Sequence, residues 1–262
     1  STLSTSSAAS DVYKRQCIYS GKKDSNDATW KEGSWTDVFR NISNYEKIKG
    51  KIIYPQNVLY DCLKYCNDNE MLPANVFILN RMHIQTIAEK MQITVTDHKE
   101  KSEIEQIWNS YLLPFKEETE KSSQYNDVFN YAMKGIGIHH SGMIAILKEI
   151  VEILYEKKLI KILLSTETFA MGVNMPTKTV IFYNVSKFDG RSKQKRVIEP
   201  AEYIQMAGRA GRRGMDHYGN VIILPDSTIK SEEIAKKMIK ANPQKVESKF
   251  QIDYSFILKR MN

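Results

Sequence analysis

The chain has 262 residues, of which 42% are hydrophobic and 26% are charged, a balance typical of a folded protein with a buried core. Its 38 lysines and arginines exceed its 31 acidic residues, and the net charge of +7 favours a polyanionic partner such as nucleic acid, although proteins that bind none also carry such a surplus. No apolar run is long enough to span a membrane and no secretory signal is visible, so we expect an intracellular protein, cytoplasmic or nuclear, without a membrane partner.

The first sixteen residues form a serine-rich segment that we expect to be disordered and without function. Residues 6–16 (SSAASDVYKRQ) resemble the in-frame translation of a sequencing-library adapter, and the alternative is an ordinary disordered tail. An adapter origin predicts that the gene continues upstream of this chain. The polar residues 17–55 that follow are interpreted as a linker or an edge segment.

Residues 56–67 alternate apolar and polar at helical spacing and therefore predict a helix. Cys62 and Cys66 lie one turn apart on it. No second ligand pair has the spacing of a zinc site, so we predict two reduced, partly buried thiols and no metal centre. The chain has only three cysteines, and this odd, sparse count argues against a disulfide scaffold and for a reducing compartment.

Strands and helices then alternate along the chain. The predicted strands are apolar runs at 75–79, 135–140, 159–166, 177–183 and 219–224. The predicted helices lie at 82–91, within a charged peripheral layer at 99–134, and at 144–155, 201–206 and 232–239. This order predicts an α/β fold with an open, mostly parallel sheet and helices on both faces. In such sheets ligands gather in the loops beyond the carboxyl ends of the strands, and we expect the functional residues there.

The arginine segment, residues 205–214 (QMAGRAGRRG), interleaves three glycines with three arginines. Glycine lets the backbone approach a ligand closely, and a guanidinium group binds phosphate oxygens through two parallel hydrogen bonds. Such a loop can hold arginines against a triphosphate and stabilise the charge that develops in phosphoryl transfer. A flexible loop that binds nucleic acid loosely explains the same pattern, and the residues alone leave both interpretations open.

Two further segments follow predicted strands. Residues 165–176 (STETFAMGVNMP) place hydroxyl groups at a strand-to-helix junction, where they can hold a phosphate or simply cap the helix. Residues 135–142 (GIGIHHSG) lack the third glycine of a dinucleotide-binding loop, since His140 stands in its place. His139 and His140 point to opposite faces of a strand and make a poor metal pair, so the residues alone favour structural histidines.

Two motifs are absent from this sequence. It contains no G-x-x-x-x-G-K-[ST] phosphate loop, and no acidic pair follows a strand to hold magnesium. The arginine segment can bind phosphate, but the chain has no loop that would hold a whole triphosphate. We therefore predict that the triphosphate-binding loop lies on another domain.

Together these segments resemble the second RecA-like domain of superfamily-two DExH-box helicases, and most closely the superkiller and exosome-associated RNA helicases. The resemblance rests on GIGIHHSGM, on the run from 146 to 182, on KFDG at 187–190 and on EYIQMAGRAGRRG, in the same order and spacing. It implies a RecA-like domain at 56–226. The closing residues, 227–262, are similar to the start of a winged-helix domain that is cut short.

The resemblance implies a role for each residue that matches the family motifs. Gln205, Arg209 and Arg212 would be catalytic: the arginines would contact the γ-phosphate of ATP bound on the first motor domain, and Gln205 would couple ATP to the domain interface. The residues implied near the nucleotide are Gly172, Asn174 and Gly208. The residues implied to line the RNA path are Arg81, His140, Ser141, Gly142 and Thr166.

The function implied is that of the second motor domain of an ATP-dependent RNA helicase in RNA decay or processing. Its cofactors would be ATP and Mg²⁺, both held mainly by the first RecA-like domain of the same protein, so this chain alone is expected to be inactive. The implied partners are single-stranded RNA, that first domain and an exosome-type complex. Two alternatives remain: a fragment of a DNA repair-type helicase, or a nucleic-acid-binding module without ATPase activity.

The connector at 187–196 is basic. It is interpreted either as a solvated hairpin or as a surface that contacts successive phosphates of a nucleic-acid backbone.

Overall fold

The computed structural model describes residues 13–18, 55–115, 122–172, 175, 177–189, 194–212, 215–216, 218–224 and 232–240. Within these ranges the longest helix has 15 residues, and none of the helices has both the length and the apolar character needed to cross a membrane. The described part covers most of the predicted RecA-like domain. Asn174 and residues 241–262, which include most of the predicted winged-helix segment, lie outside it, so the proposed domain boundaries stay predictions.

A parallel sheet forms the centre of the domain. In chain order the strands are β1 (Tyr13–Ile18), β2 (Ala74–Phe77), β3 (Ile136–His139), β4 (Ile162–Ser165), β5 (Thr179–Phe182), β6 (Ser186–Asp189), β7 (Gln194–Val197) and β8 (Tyr218–Ile223). Six of them form one sheet in the order β1-β8-β5-β2-β4-β3, and every neighbouring pair is parallel. The other two, β6 and β7, form a separate antiparallel hairpin. Every residue of β2 to β5 is buried, as expected for a parallel sheet covered on both faces.

The helices are α1 (Pro55–Asp68), α2 (Arg81–Lys90), α3 (His98–Leu112), α4 (Ser123–Met133), α5 (Ala145–Glu156), α6 (Glu167–Gly172), α7 (Pro200–Ala207) and α8 (Glu232–Lys240), with a 3₁₀ turn at Leu113–Phe115. Several begin at side chains suited to the position. Asn80 caps α2, Asp97 and Glu100 form a capping box at α3, and Pro200 occupies the first turn of α7. The predicted helices and strands are therefore confirmed, with ends that shift by a few residues.

Two clusters of buried residues cover the two faces of the sheet. Neighbouring strand residues divide between them: Ile181 and Ile222 belong to the larger cluster, whereas Val180 and Val221 belong to the smaller. This division follows from the alternation of side chains along a strand. It confirms an α/β sheet with helices on both faces.

The two cysteines of α1 are reduced and not joined by a disulfide, in agreement with the prediction. Cys62 and Cys66 are fully buried, whereas the sequence predicted only partial burial. Both belong to the larger cluster, where a small thiol packs like an apolar side chain.

The strand β1 differs from expectation. It pairs with β8 from Tyr13 opposite Tyr218 to Ile18 opposite Ile223, although residues 13–16 belong to the segment expected to be disordered. Without β1, the outer edge of β8 would leave backbone N–H and C=O groups unpaired. An extended segment with residues that favour strands can form hydrogen bonds with these groups. A pattern read along the chain does not reveal such an edge.

Candidate functional site

The residues implied to contact RNA gather at one edge of the sheet, which we call the carboxyl edge because β2, β3 and β4 end there. Arg81 begins α2 just after β2, residues 140–142 follow β3, and Thr166 follows β4. A side chain added at Gly142 would come within 3.8 Å of Arg81 Nη1 and 3.2 Å of His140 Nδ1. The Thr166 amide donates to the His139 carbonyl oxygen at 3.2 Å. The structure thus brings this set together, with Arg81, Ser141 and Gly142 exposed.

The His140 ring accepts a hydrogen bond at this edge. Its Nδ1 accepts the Gly142 amide at 3.1 Å, so the proton of the neutral ring lies on Nε2. Burial lowers the pKa of His140, and the nearby His139, Arg81 and Lys148 lower it further. Lys148, on α5, is a cation beside His140 that sequence reasoning missed, since nothing in its helical position distinguishes it from the other lysines.

Gln124 holds the loop after β3 in place, and sequence reasoning missed it. Its Nε2 donates to the Gly142 carbonyl at 3.1 Å, and its Oε1 accepts the Ile144 amide at 3.2 Å. It lies in the first turn of α4, which Trp108 of α3 supports through an edge-to-face contact with Tyr125. The peripheral helical layer therefore shapes the candidate RNA surface.

His139 has a structural role, as its residue type alone suggested. Its Nε2 lies 2.7 Å from Glu152 Oε1 of α5, and its ring packs edge-on against Phe169 of α6 with centroids 4.9 Å apart. Burial lowers the pKa of His139, although Glu152 acts in the opposite direction. The side chain turns into the core while His140 stays with the loop.

The arginine segment lies at the opposite edge, which we call the amino edge because β5 and β8 begin there. Thr177, just before β5, donates its amide to the Arg209 carbonyl at 2.9 Å and accepts the Gly211 amide at 2.6 Å. A side chain at Gly219, near the start of β8, would lie 2.4 Å from the Ala210 carbonyl carbon. The expectation that all functional residues lie beyond the carboxyl ends is therefore wrong for this segment. A crossover helix runs antiparallel to the strands, so α7 ends where β8 begins.

Within the arginine segment, Gly208 ends α7 and Arg209 reaches back to α6. The Gly208 amide donates to the Ile204 carbonyl at 2.7 Å, and an added Cβ would lie 2.8 Å from that oxygen. The Arg209 guanidinium donates to the Ala170 carbonyl, and its partial burial lowers the pKa of Arg209. Gln205 is exposed on α7.

Arg212 is held by Asp216, which sequence reasoning missed. Its Nε and Nη2 donate to the two carboxylate oxygens at 2.8 Å each, and its amide donates to Oδ2 at 2.9 Å. Although burial raises it, the hydrogen bonds from Arg212 bring the pKa of Asp216 below its ordinary value. The signal in the sequence was an acid four residues after an arginine. The glycine between them argues against a helix, so this spacing did not predict the ion pair.

Comparison with known proteins decides the family. Residues 89–214 match the family model of the helicase conserved C-terminal domain. The chain is 38% identical over 211 residues to ATP-dependent RNA helicase mtr4 of Schizosaccharomyces pombe and 39% identical over 211 residues to Exosome RNA helicase MTR4 of Homo sapiens, with 80% of this chain covered in both. It is 37% identical over 199 residues, 76% of the chain, to Antiviral helicase SKI2 of Saccharomyces cerevisiae. This chain belongs to the DExH-box RNA helicases of the superkiller and exosome-associated group.

The match covers only a part of each DExH-box relative. It spans 18% of the S. pombe protein, 20% of the human protein and 15% of the S. cerevisiae protein. The activity, substrates and partners of a whole protein therefore belong to the proposal below.

In this helicase domain, the helix α6 joins the two edges. Thr166 precedes it at the carboxyl edge, where its hydroxyl lies 2.8 Å from that of Thr168. The helix ends at Gly172, and Ala170 in its last turn receives the Arg209 guanidinium. Asn174 lies outside the described residues. One short helix thus contacts both predicted groups of functional residues.

Proposed function

We propose that this chain is the second motor domain of an ATP-dependent RNA helicase that acts in RNA decay or processing. The observation that carries the proposal is the separation of two groups of residues at opposite edges of one sheet, with α6 between them. A motor domain has to contact RNA and nucleotide at different places and to connect the two contacts. This arrangement suits both requirements.

The amino edge would act on ATP bound to a first motor domain of the same protein. Arg209 and Arg212 would contact the γ-phosphate, with Gln205 at the interface and Gly172, Asn174 and Gly208 near the nucleotide. Both guanidinium groups are already oriented, by Ala170 and by Asp216, which suits charge stabilisation in phosphoryl transfer. The Asp216 carboxylate is paired with Arg212, so it is not offered to a metal ion. Arg209 and Arg212 are cations and suit phosphate oxygens, and Mg²⁺ would be held by the first domain.

The mechanism follows from a nucleotide shared between two domains. Closure of the cleft brings Arg209 and Arg212 to the γ-phosphate, where they stabilise the negative charge that develops as the phosphoryl group is transferred. Release of phosphate removes the anion that they bind, and the cleft opens. Because Ala170 of α6 moves with Arg209, the change reaches Thr166 at the carboxyl edge.

The carboxyl edge would bind single-stranded RNA through its backbone. Arg81 offers a guanidinium group, His140 an Nε2–H donor, and Ser141 and Thr166 hydroxyl groups, while Gly142 lets the strand approach closely. Such contacts carry little sequence information and weaken with salt. An exosome-type RNA decay complex is the proposed assembly, in line with the name of the human relative, Exosome RNA helicase MTR4.

A chimeric helicase tests the proposal. Residues 56–224 would replace the matching region of the human relative, and ATP hydrolysis would be measured with and without single-stranded RNA. We expect Arg209→Ala to lower turnover by about 10³-fold, the scale of an arginine finger, while RNA affinity stays within about twofold. Unchanged turnover would refute the assigned role.

The same chimera separates the alternatives. Unwinding of RNA but not DNA duplexes supports the RNA helicase, and the reverse preference supports a DNA repair-type enzyme. RNA binding by an Arg81→Ala chimera should fall, with ATP turnover in the absence of RNA unchanged. A chimera that binds RNA but never hydrolyses ATP favours a binding module.

A further inference from the structure

Lys187 of the β6–β7 hairpin joins α6 and α7, the two helices that carry or adjoin the proposed functional residues. Its Nζ lies 2.6 Å from Glu202 Oε1, in the first turn of α7, and 3.1 Å from Glu167 Oε1, the first residue of α6. The three side chains are between 21% and 30% exposed. They come from three segments that the sequence analysis singled out separately: KFDG, STETFA and EYIQMAGR.

Arg196 adds a second cation to Lys187, Glu167 and Glu202, and we call these four residues the Lys187 network. Arg196 stands opposite Lys187 in the hairpin and binds both carboxylate oxygens of Glu202, at 2.9 and 3.0 Å. Glu202 also accepts the Glu199 amide at 2.7 Å. Although burial raises it, the bonds from Arg196 and Lys187 lower the pKa of Glu202 to about 2. Glu202 is thus charged at any physiological pH and fully engaged.

The network and the Arg209 contact together hold α6 at both ends. Lys187 connects the amino end of α6 to α7, and Arg209 connects the last turn of α6 to the segment that follows α7. A helix of six residues is too short to be stable by its own hydrogen bonds. Its position therefore depends on such contacts.

The pairing also neutralises a carboxylate at the RNA-facing edge. Glu167 directly follows Thr166, and an unpaired carboxylate there would repel a phosphate backbone. We propose that Lys187 is a positioning residue: it holds α6 against α7 and cancels the charge of Glu167, so that RNA can lie over Thr166. The RNA part of this inference rests on the proposed function.

Binding of RNA by the full 262-residue chain tests the charge argument. The probe is a fluorescent single-stranded polyuridine, titrated at several salt concentrations. We expect Lys187→Met to weaken binding by about tenfold at low salt, and the double variant Lys187→Met/Glu167→Gln to recover to within about threefold of the original chain. Lys64→Met, an exposed lysine of α1, removes the same charge elsewhere and should change affinity by less than about twofold.

The outcomes are distinct. Loss of binding that Glu167→Gln does not rescue overturns the charge-cancelling role of Lys187. Unchanged binding in Lys187→Met overturns it as well.

Hydrogen exchange gives a readout that does not depend on RNA. Lys187→Met should speed exchange at the Phe169 amide, which donates to the carbonyl oxygen of Thr166 just before α6, whereas Lys64→Met should leave it unchanged. If the original chain binds no RNA, the proposed function fails, and exchange alone still decides whether Lys187 holds α6. Equal exchange in Lys187→Met and the original chain would overturn the inference.

Discussion

The Arg209 guanidinium group donates a hydrogen bond to the Ala170 carbonyl oxygen, and this contact joins the arginine segment to α6. The helix begins directly after Thr166, at the opposite edge of the sheet. An arginine proposed to sense the γ-phosphate is therefore bonded to the element that carries a proposed RNA contact. Fewer than two turns of helix separate the two contacts.

Replacing Arg209 by lysine separates charge from geometry. Lysine keeps the positive charge but has no planar fork, so it cannot bind the Ala170 carbonyl and a phosphate in fixed directions. We expect ATP turnover in the chimeric helicase to fall by at least about tenfold with the unfolding temperature nearly unchanged. Steady-state kinetics measure the first quantity and calorimetry the second. Full activity of Arg209→Lys would show that charge alone suffices.

Removing the Asp216 carboxylate should release Arg212. Asp216→Asn loses the paired charge, and we expect a loss of about 1–3 kcal/mol in the free energy of unfolding at pH 7. Because the pKa of Asp216 is lowered in the fold, its contribution is present above its ordinary pKa of 3.8 and disappears as the pH falls below that value. Urea unfolding at pH 7 and pH 3 measures this. Asp68→Asn, an exposed acid of α1, is the control, and an equal loss there would contradict the assignment.

Acid should weaken the fold through the two adjacent histidines. The pKa of both His139 and His140 is lowered, chiefly by burial, so the unfolded chain takes up protons more readily. The stability that their neutral forms give is present above pH 6.5 and is lost as the pH falls below it. Urea unfolding between pH 7.5 and pH 5 should show this decline. The His139→Gln/His140→Gln variant should show a shallower one, and an unchanged slope would assign the decline to other groups.

Gln124→Ala should impair the candidate RNA surface without unfolding the domain. It removes two hydrogen bonds to the loop after β3, worth about 1 kcal/mol each, so we expect RNA affinity to fall by about fivefold. Gln106→Ala truncates an exposed glutamine of α3 and serves as the matched control. Fluorescence anisotropy measures both, and equal affinities would show that the loop does not need Gln124.

Gly219→Ala should displace the arginine segment. An added Cβ would lie 2.4 Å from the Ala210 backbone, which has no room to move because Thr177 pairs with its neighbours. We expect a loss of about 1–3 kcal/mol in the free energy of unfolding and a matching loss of ATP turnover in the chimera. Gly137→Ala meets only side chains, the nearest at 3.0 Å, and should cost less stability. A milder effect at Gly219 than at Gly137 would contradict this packing.

Much of the fold follows from local patterns in the sequence. The apolar runs that become β2, β4 and β5 are buried along their whole length, and Pro200 marks the start of α7. The motif residues at the carboxyl edge also come together as predicted, because parallel strands end at the same edge.

Only the tertiary structure decided which side chains meet. Lys187 and Glu167 are 20 residues apart, Gln124 and Gly142 are 18 apart, and the arginine segment lies at the edge opposite the RNA residues. Periodicity reports which face of an element is apolar, and that is a local property of the chain. Polar contacts of the site depend on how separate elements pack and in which direction each helix crosses the sheet. The sequence by itself therefore determined five strands of the sheet, the helices and the motif residues, whereas the packing added β1 and decided how the motif residues are oriented, paired and connected.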